Sequence, residues 1–146
     1  MKKYELTDET ITHCGHTLHR IRALRDFGTI KKGDLGGFVE SEGNLSHEGD
    51  CWVGGDAQVG GNAEVSGNAQ VERTSDYIVF KNWWSSGRYF TWTRSNNMWC
   101  VGCFYGTGEE LIAKAYKDSE KSGREYERVV RYVESILADE QKEGVK

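Results

Sequence analysis

The sequence predicts a mixed β and α/β fold, in which a short left-handed parallel β-helix of two coils joins an α+β lobe. Three observations predict it: six consecutive glycine-led hexapeptides, three aromatic-rich runs that follow them, and two helix-start motifs near the C-terminus. These observations divide the chain into three segments: an N-terminal β cap at 1–36, the hexapeptides at 37–72 and the α+β lobe at 73–146.

The hexapeptides share a simple pattern. Each begins with glycine, five of the six continue with Asn or Asp, the third position is always apolar, and the last four add Val at the fifth. Because side chains alternate across a strand, positions three and five share one side, which we expect to face inward. Gly-Asn and Gly-Asp pairs favour the left-handed backbone of a corner. Three sides would close one coil, so six hexapeptides predict two coils; ordinary antiparallel hairpins are the alternative.

Short strands are expected before the hexapeptides, at 3–7, 9–12 and 17–24, with a turn at 14–16. They and the C-terminal lobe are needed to cover the open ends of so short a prism, because repeats bury their core only against neighbours and caps.

The C-terminal lobe combines a sheet with helices. Aromatic, β-prone runs at about 77–84, 89–94 and 98–105 are separated by Ser, Asn and Gly turn residues, which predicts a three-stranded antiparallel meander. The capping boxes Thr107-x-x-Glu110 and Ser122-x-x-Glu125 predict helices at about 108–121 and 123–141.

Composition excludes several classes of function. A net charge of −4 argues against bulk nucleic-acid binding, and there is neither an 18-residue apolar run nor the apolar segment of a signal peptide. We therefore expect a cytoplasmic protein without membrane contact. Cys100 and Cys103 form the one Cys-x-x-Cys pair but point to opposite faces of an extended strand, so free thiols are favoured over a metal site. We expect no metal and no cofactor.

Basic and aromatic residues nevertheless recur in this acidic chain. Guanidinium groups and aromatic rings on one open surface are the groups that pair with a phosphate and stack on a base. The predicted ligand-binding residues are Arg20, Arg22, Arg25, Arg88, Tyr89, Trp92, Arg94 and Trp99. The alternative is that the tryptophans fill the core of the lobe and the arginines are solvated or ion-paired.

The hexapeptides resemble those of the hexapeptide-repeat superfamily of left-handed β-helices, which includes many trimeric acyltransferases. Residues 21–28 and 31–40 are similar to the N-terminal signature of small hexapeptide-repeat proteins encoded by phages and prophages. The resemblance covers about the first half of the chain. It implies a homotrimer, and it implies that the cytoplasm is that of an infected or lysogenic bacterium.

Three functions follow as expectations. The first is a non-catalytic phage counter-defence protein that sequesters a small, anionic, nucleotide-like immune signal. The second is a protein–protein inhibitor of a host defence protein. The third is an acyltransferase with His47 as its base, although two coils give only roughly 10 Å of prism, which is short for an acyl-donor groove.

Overall fold

The computed structural model describes residues 2–143, which form ten β-strands, two α-helices and two short 3-10 helices at Glu42–Asn44 and Thr74–Asp76. The strands and α-helices are β1 Tyr4–His13, β2 His16–Ala23, β3 Leu35–Val39, β4 Trp52–Val53, β5 Gln58–Val59, β6 Gln70–Val71, β7 Tyr77–Lys81, β8 Tyr89–Thr93, β9 Met98–Val101, β10 Phe104–Gly106, α1 Gly108–Asp118 and α2 Glu120–Glu143.

The strands form three sheets. A mixed sheet has the order β1-β2-β3-β5, in which the first three strands are antiparallel and β5 pairs with β3 in parallel. An antiparallel sheet has the order β10-β9-β8-β7, and β4 and β6 form a two-stranded parallel sheet.

The prediction of a left-handed parallel β-helix is wrong. Among residues 2–143 the hexapeptides contribute no β-helix coils, and parallel pairing is confined to β3 with β5, β4 with β6, and one isolated bridge between Leu45 and Val65. The reason is strand length. A Gly-Asn or Gly-Asp corner takes two of the six residues, and the 3-10 helix Glu42–Asn44 spans the boundary between the first two hexapeptides. The ladders of two residues therefore do not extend into continuous sides.

The inward direction of the third and fifth positions is confirmed. All six third-position residues and the four fifth-position valines are buried in one core: Val39, Leu45, Cys51, Ala57, Ala63, Ala69, Val53, Val59, Val65 and Val71. The last four leading glycines, from Gly49 to Gly67, have φ between 57° and 71°, as the corner chemistry requires. The pattern within each hexapeptide therefore determined which side chains are buried and where the chain turns, but it did not determine which strands pair.

The N-terminal segment is one long hairpin where separate short strands were expected. β1 runs without a break from Tyr4 to His13 because an irregularity between Leu6 and Thr10 absorbs the polar residues. Cys14 and Gly15 make the two-residue turn with φ of 51° and 81°.

The start of β1 anchors this hairpin to the hexapeptides. The Lys3 side chain is buried, and its ammonium donates hydrogen bonds to the carbonyls of Cys51 at 2.7 Å and Gly49 at 3.3 Å. Burial lowers the pKa of Lys3. The Tyr4 hydroxyl donates to the carbonyl of Leu45 at 2.6 Å, so polar ends of both side chains are paired inside an apolar core.

The meander has four strands, not three. Gly102, at φ 57°, turns the third aromatic run back on itself, and Phe104 pairs with Val101 across the new hairpin. The first run ends at Lys81, before Asn82. Phe90, Trp92, Trp99 and Val101 form a second core with the apolar faces of the two helices.

Both predicted helices are present, but their boundaries differ from the prediction: α1 ends at Asp118, not at about 121, and α2 ends at Glu143, not at about 141. Thr107 caps α1 through the predicted capping box. The predicted start of the second helix at 123 is wrong: α2 begins at Glu120, since the Ser119 hydroxyl accepts the backbone N–H of Ser122 and serves as the cap. Within residues 2–143, neither helix is long and apolar enough to span a membrane.

Gly36 tests the packing between the mixed sheet and the hexapeptides. A Cβ there would lie 2.5 Å from the Val53 carbonyl oxygen and 2.7 Å from the Trp52 ring, so Gly36→Ala should destabilise the fold by about 1–3 kcal/mol. Gly43→Ala is the matched control, because its Cβ would meet no atom closer than 3.6 Å and neither glycine has a positive φ. Urea unfolding measures both; equal stability of the two variants would contradict the packing described.

Candidate functional site

Arg20, one of the predicted ligand-binding residues, is already saturated by protein groups. Its guanidinium contacts Glu9 at 3.0 Å and Asp56 at 3.2 Å, donates to the Gly36 carbonyl at 2.7 Å and lies over the Phe38 ring. An arginine with two carboxylates and a carbonyl has little left to offer an anion. Its role is to join β2 to β3 and the hexapeptides.

Arg22 and Arg25 are engaged in the same way. Arg22 forms an ion pair with Glu5 on the neighbouring strand, and Arg25 donates to the His47 carbonyl at 3.1 Å. The structure therefore spreads the three N-terminal arginines over separate contacts and does not bring them together with the meander residues.

Two of the five predicted ligand-binding residues of the meander are internal. Trp92 and Trp99 are fully buried in the second core, as the alternative interpretation of the tryptophans held. Arg94 pairs with Glu140 of α2 and donates to the Ser75 carbonyl at 3.0 Å. Of the eight predicted residues, Arg88 and Tyr89 are left exposed without an ion pair among the described residues.

Arg88 lies on a cavity of about 370 Å³, which we call the Arg88 pocket. The loop between β7 and β8 supplies one wall with Asn82, Ser85, Ser86 and Arg88. Two backbone hydrogen bonds close this loop: Asn82 N–H donates to the Arg88 carbonyl at 2.8 Å, and Gly87 N–H donates to the Asn82 carbonyl at 2.9 Å. The loop is thus held in place by its own backbone.

The helices supply the opposite wall. Lys114 and Asp118 come from α1, Ser119 from the junction, and Ser122 and Tyr126 from α2; the apolar floor is Val101, Phe104, Leu111 and Ala115. Trp84 joins the two walls, because its indole N–H donates to the Ser122 hydroxyl at 3.2 Å and its ring packs edge-on against Tyr126.

The charge of this pocket is locally positive. The Arg88 backbone is hydrogen-bonded, but its guanidinium has no carboxylate or carbonyl partner among residues 2–143. Lys114 lies 3.8 Å from Asp118, and both side chains are more than half exposed, so this pair is weak. Two cations and one carboxylate therefore line a cavity in a protein whose net charge is −4.

Gly102 makes room for the Arg88 side chain. A Cβ at Gly102 would overlap the Arg88 guanidinium, and the φ of 57° is a conformation that other residues rarely adopt. The missing side chain at Gly102 thus leaves the space that the Arg88 guanidinium occupies.

The deepest polar groups of the pocket are Asn82 and Tyr126. The Asn82 amide N–H donates to the Tyr126 hydroxyl at 3.3 Å, whereas Asn82 Oδ1 is buried with no hydrogen-bond donor among the described residues. Burial raises the pKa of Tyr126, against smaller opposing effects of the Asn82 hydrogen bond and the Arg88 charge. The phenol therefore remains protonated at neutral pH and keeps a hydrogen to donate.

His47, the candidate base of an acyltransferase, has both ring nitrogens occupied. Nδ1 accepts the Lys3 backbone N–H at 3.0 Å, and Nε2 lies 2.9 Å from a Glu42 carboxylate oxygen. The ring stacks on Tyr4 with centroids 4.2 Å apart. These contacts make His47 a link between the N-terminal strand and the hexapeptides.

A second cavity, of about 560 Å³, lies beside the tip of the N-terminal hairpin. Its one carboxylate is already paired, since Glu40 contacts His16 at 2.8 Å and accepts the Gly61 N–H at 2.7 Å. Both contacts lower the pKa of the Glu40 carboxyl, the Gly61 hydrogen bond more strongly. This cavity has no arginine or lysine in its lining, unlike the Arg88 pocket.

Cys100 and Cys103 border a third cavity, of about 470 Å³, between the meander and the hexapeptides. The bend at Gly102 places them on one hairpin, with Cys103 exposed and the Cys100 thiol donating to Glu64 at 3.3 Å. Within residues 2–143 no group of three or more His, Cys, Asp or Glu side chains is arranged to hold a metal ion.

Sequence reasoning missed most of the Arg88 pocket. The sequence pattern places Asn82 in a strand and Ser122 at a helix cap, and it gives Lys114 and Tyr126 no feature beyond a position in a helix. One signal was available: Asn82 is a polar residue inside an otherwise aromatic run, which indicates an early strand end.

Comparison of the sequence with protein-family models gives no match, and comparison with curated proteins gives none either.

The raised pKa of the Cys100 thiol predicts how the stability of the fold depends on pH. Burial raises the pKa of this thiol from 9.0 to about 11 in the folded chain. Above pH 9 the unfolded thiol ionises while the folded thiol stays protonated, so this contribution to stability is complete below pH 9 and is lost as pH rises to about 11. We expect the thermal midpoint of Cys100→Ser to fall less than that of the wild type over this range. Parallel curves for the two proteins would contradict the assignment.

Proposed function

We propose that the protein binds a small, anionic, nucleotide-like ligand in the Arg88 pocket and does not transform it. The observation that carries the proposal is an arginine without a protein partner beside a partly enclosed cavity. An unpaired guanidinium is suited to bidentate pairing with a phosphate or carboxylate, and such charge-assisted bonds are stronger than neutral ones.

The surrounding groups support an anionic ligand. Lys114 adds a second cation, and the hydroxyls of Ser85, Ser86 and Ser122 add small donors near it. The volume of about 370 Å³ lies at the lower end of the range for small-molecule sites, which favours a ligand no larger than a mononucleotide.

The pocket is also built in advance of binding. Its loop is closed by backbone hydrogen bonds and tied to α2 through Trp84, so little ordering of the chain is required when a ligand enters. This rigidity suits a protein that captures a ligand.

The counter-defence role and the trimer were inferred from a family resemblance in the sequence, not from contacts in the structure. The counter-defence role and the trimer stay predictions from resemblance, and the trimer loses one argument because the short β-helix prism that required partner chains is not formed. For the acyltransferase, the paired ring nitrogens of His47 give no support.

The protein–protein alternative has one observation in its favour. Trp83 is 65% exposed beside the Arg88 pocket, with Lys121 over its ring. Tryptophan is enriched among interface hot spots.

If Trp83 contacts a host protein, adding that protein should protect the fluorescence of Trp83 from quenching by acrylamide. Unchanged quenching would exclude the contact with that partner.

The proposal predicts that Arg88→Ala weakens binding of ribose 5-phosphate at least tenfold, since a charge-assisted hydrogen bond contributes about 1.5–3 kcal/mol. Isothermal titration calorimetry at low salt measures the affinity. Arg22→Ala is the matched control, because it removes another partly exposed arginine from the N-terminal hairpin. Wild-type affinity in Arg88→Ala, or a loss in Arg22→Ala instead, would refute the location of the site.

A further inference from the structure

The strand β7 is an edge of its sheet, and no strand among residues 2–143 pairs with its outer side. The Asp76 carbonyl and the Asn82 N–H flank this strand, and both bond at 2.8 Å to residues that flank β8. Because bonded and non-bonded pairs alternate in an antiparallel ladder, the even positions of β7 bond to β8. The odd positions Tyr77, Val79 and Lys81 therefore direct their N–H and C=O groups outward.

The other sheet edges in the described part of the chain are protected against pairing, as natural edges usually are. β1 has an irregularity between Leu6 and Thr10 that contains Asp8 and Glu9. β4, β5 and β6 have two residues each, and β10 has three. β7 has five residues, of which four are aromatic or β-branched, and its one charged residue, Lys81, lies at its end. Its register to β8 is continuous. β7 is thus the edge best suited to accept another strand.

Apolar side chains flank this open edge on both faces of the sheet. On the hexapeptide side, Val79 is 38% exposed. On the helix side, Phe80 packs edge-on against Tyr132 of α2 with ring centroids 6.3 Å apart, and Tyr132 is 56% exposed. A strand added to β7 would cover apolar surface on both faces and would also pair the open backbone groups.

A second copy of the same strand fits this edge. A twofold axis at Val79 sets two β7 strands antiparallel, with Val79 opposite Val79 and Ile78 opposite Phe80. The two Val79 residues then exchange N–H and C=O bonds, and each Lys81 N–H reaches the Tyr77 carbonyl of the other copy. On the helix side, Ile78 of one copy extends the apolar surface of Phe80 in the other.

Charge favours the same arrangement. Antiparallel pairing places the two Lys81 side chains at opposite ends of the ladder, whereas parallel pairing in register places them side by side, where like charges are destabilising. The Lys81 carbonyl already accepts the Trp83 N–H at 2.9 Å, so the ladder ends at this residue. An unrelated strand would match this length, register and charge only by coincidence.

We propose that two copies of the chain pair through β7 around a twofold axis at Val79, which joins their four-stranded sheets into one continuous sheet. The contact is made by one strand from each copy and is at the low end of interface sizes, so we expect a dissociation constant in the micromolar range. The pairing does not depend on a ligand in the Arg88 pocket.

Sedimentation equilibrium of the full chain from about 1 μM to about 500 μM tests the proposal, because this range brackets a micromolar dissociation constant. We expect the wild type to change from monomer to dimer. Val79→Pro removes an outward N–H and no bond to β8, so it should weaken dimerisation at least tenfold. Thr12→Pro is the matched control. Thr12 adjoins the turn-flanking pair His13–His16 on the edge strand β1 and also directs its N–H outward, so wild-type dimerisation is expected.

A second pair of variants does not depend on how well the strand tolerates proline. Val79→Lys and Val79→Asp each place like charges opposite one another across the axis, so each alone should be monomeric. Mixed together, they should form a dimer with one copy of each, which native mass spectrometry identifies by mass.

Several results would overturn the proposal. A wild type that stays monomeric throughout the concentration range would exclude the contact, and a trimer would do the same because a twofold pair of strands does not close a ring of three. A dimer that persists in Val79→Pro, or one that Thr12→Pro abolishes to the same extent, would place the contact away from β7. A mixture of the two charged variants that stays monomeric would refute the axis at Val79.

Discussion

Coverage of the four-stranded sheet β7–β10 on both faces is the constraint on which the rest of the structure depends. One face, with Phe90, Trp92 and Trp99, packs against the two helices. The other contacts the hexapeptides, where the Thr91 hydroxyl accepts the Glu64 N–H at 3.0 Å and the Ser95 hydroxyl accepts the Gln70 N–H at 2.8 Å. A sheet covered in this way cannot present stacked aromatic rings to a ligand, so exposed functional groups are restricted to its ends and loops.

The hexapeptides show how a strong local pattern can leave the architecture open. Their apolar positions are buried and their glycines turn corners, yet the strands between those corners are too short to pair into coils. Stability comes instead from burial beneath the N-terminal hairpin, where Lys3 and Tyr4 bond to hexapeptide carbonyls. The buried polar ends of Lys3 and Tyr4 are tolerated there because each has a carbonyl partner.

The Arg88 pocket follows from these arrangements. The helices cover the middle of the sheet and leave a gap at the end where the β7–β8 loop and the β9–β10 turn meet. In that gap the positive charge of Arg88 is not neutralised, whereas the arginines of the N-terminal hairpin each found carboxylate or carbonyl partners. An acidic protein thus keeps a local cationic site, and the Coulomb attraction at such a site acts mainly within the Debye length of about 8–10 Å.

The sequence alone determined what depends on neighbours along the chain. The hexapeptide period identified which side chains point inward, and capping at Thr107 placed the first helix, since alternation and capping are local effects. The tertiary structure alone decided which strands pair, that both faces of the meander are covered, and that the Arg88 guanidinium is left without an ion-pair partner among residues 2–143. Those outcomes depend on contacts between distant residues: Gly102 beneath Arg88, and Asn82 with Tyr126, are brought together by packing that no sequence spacing encodes.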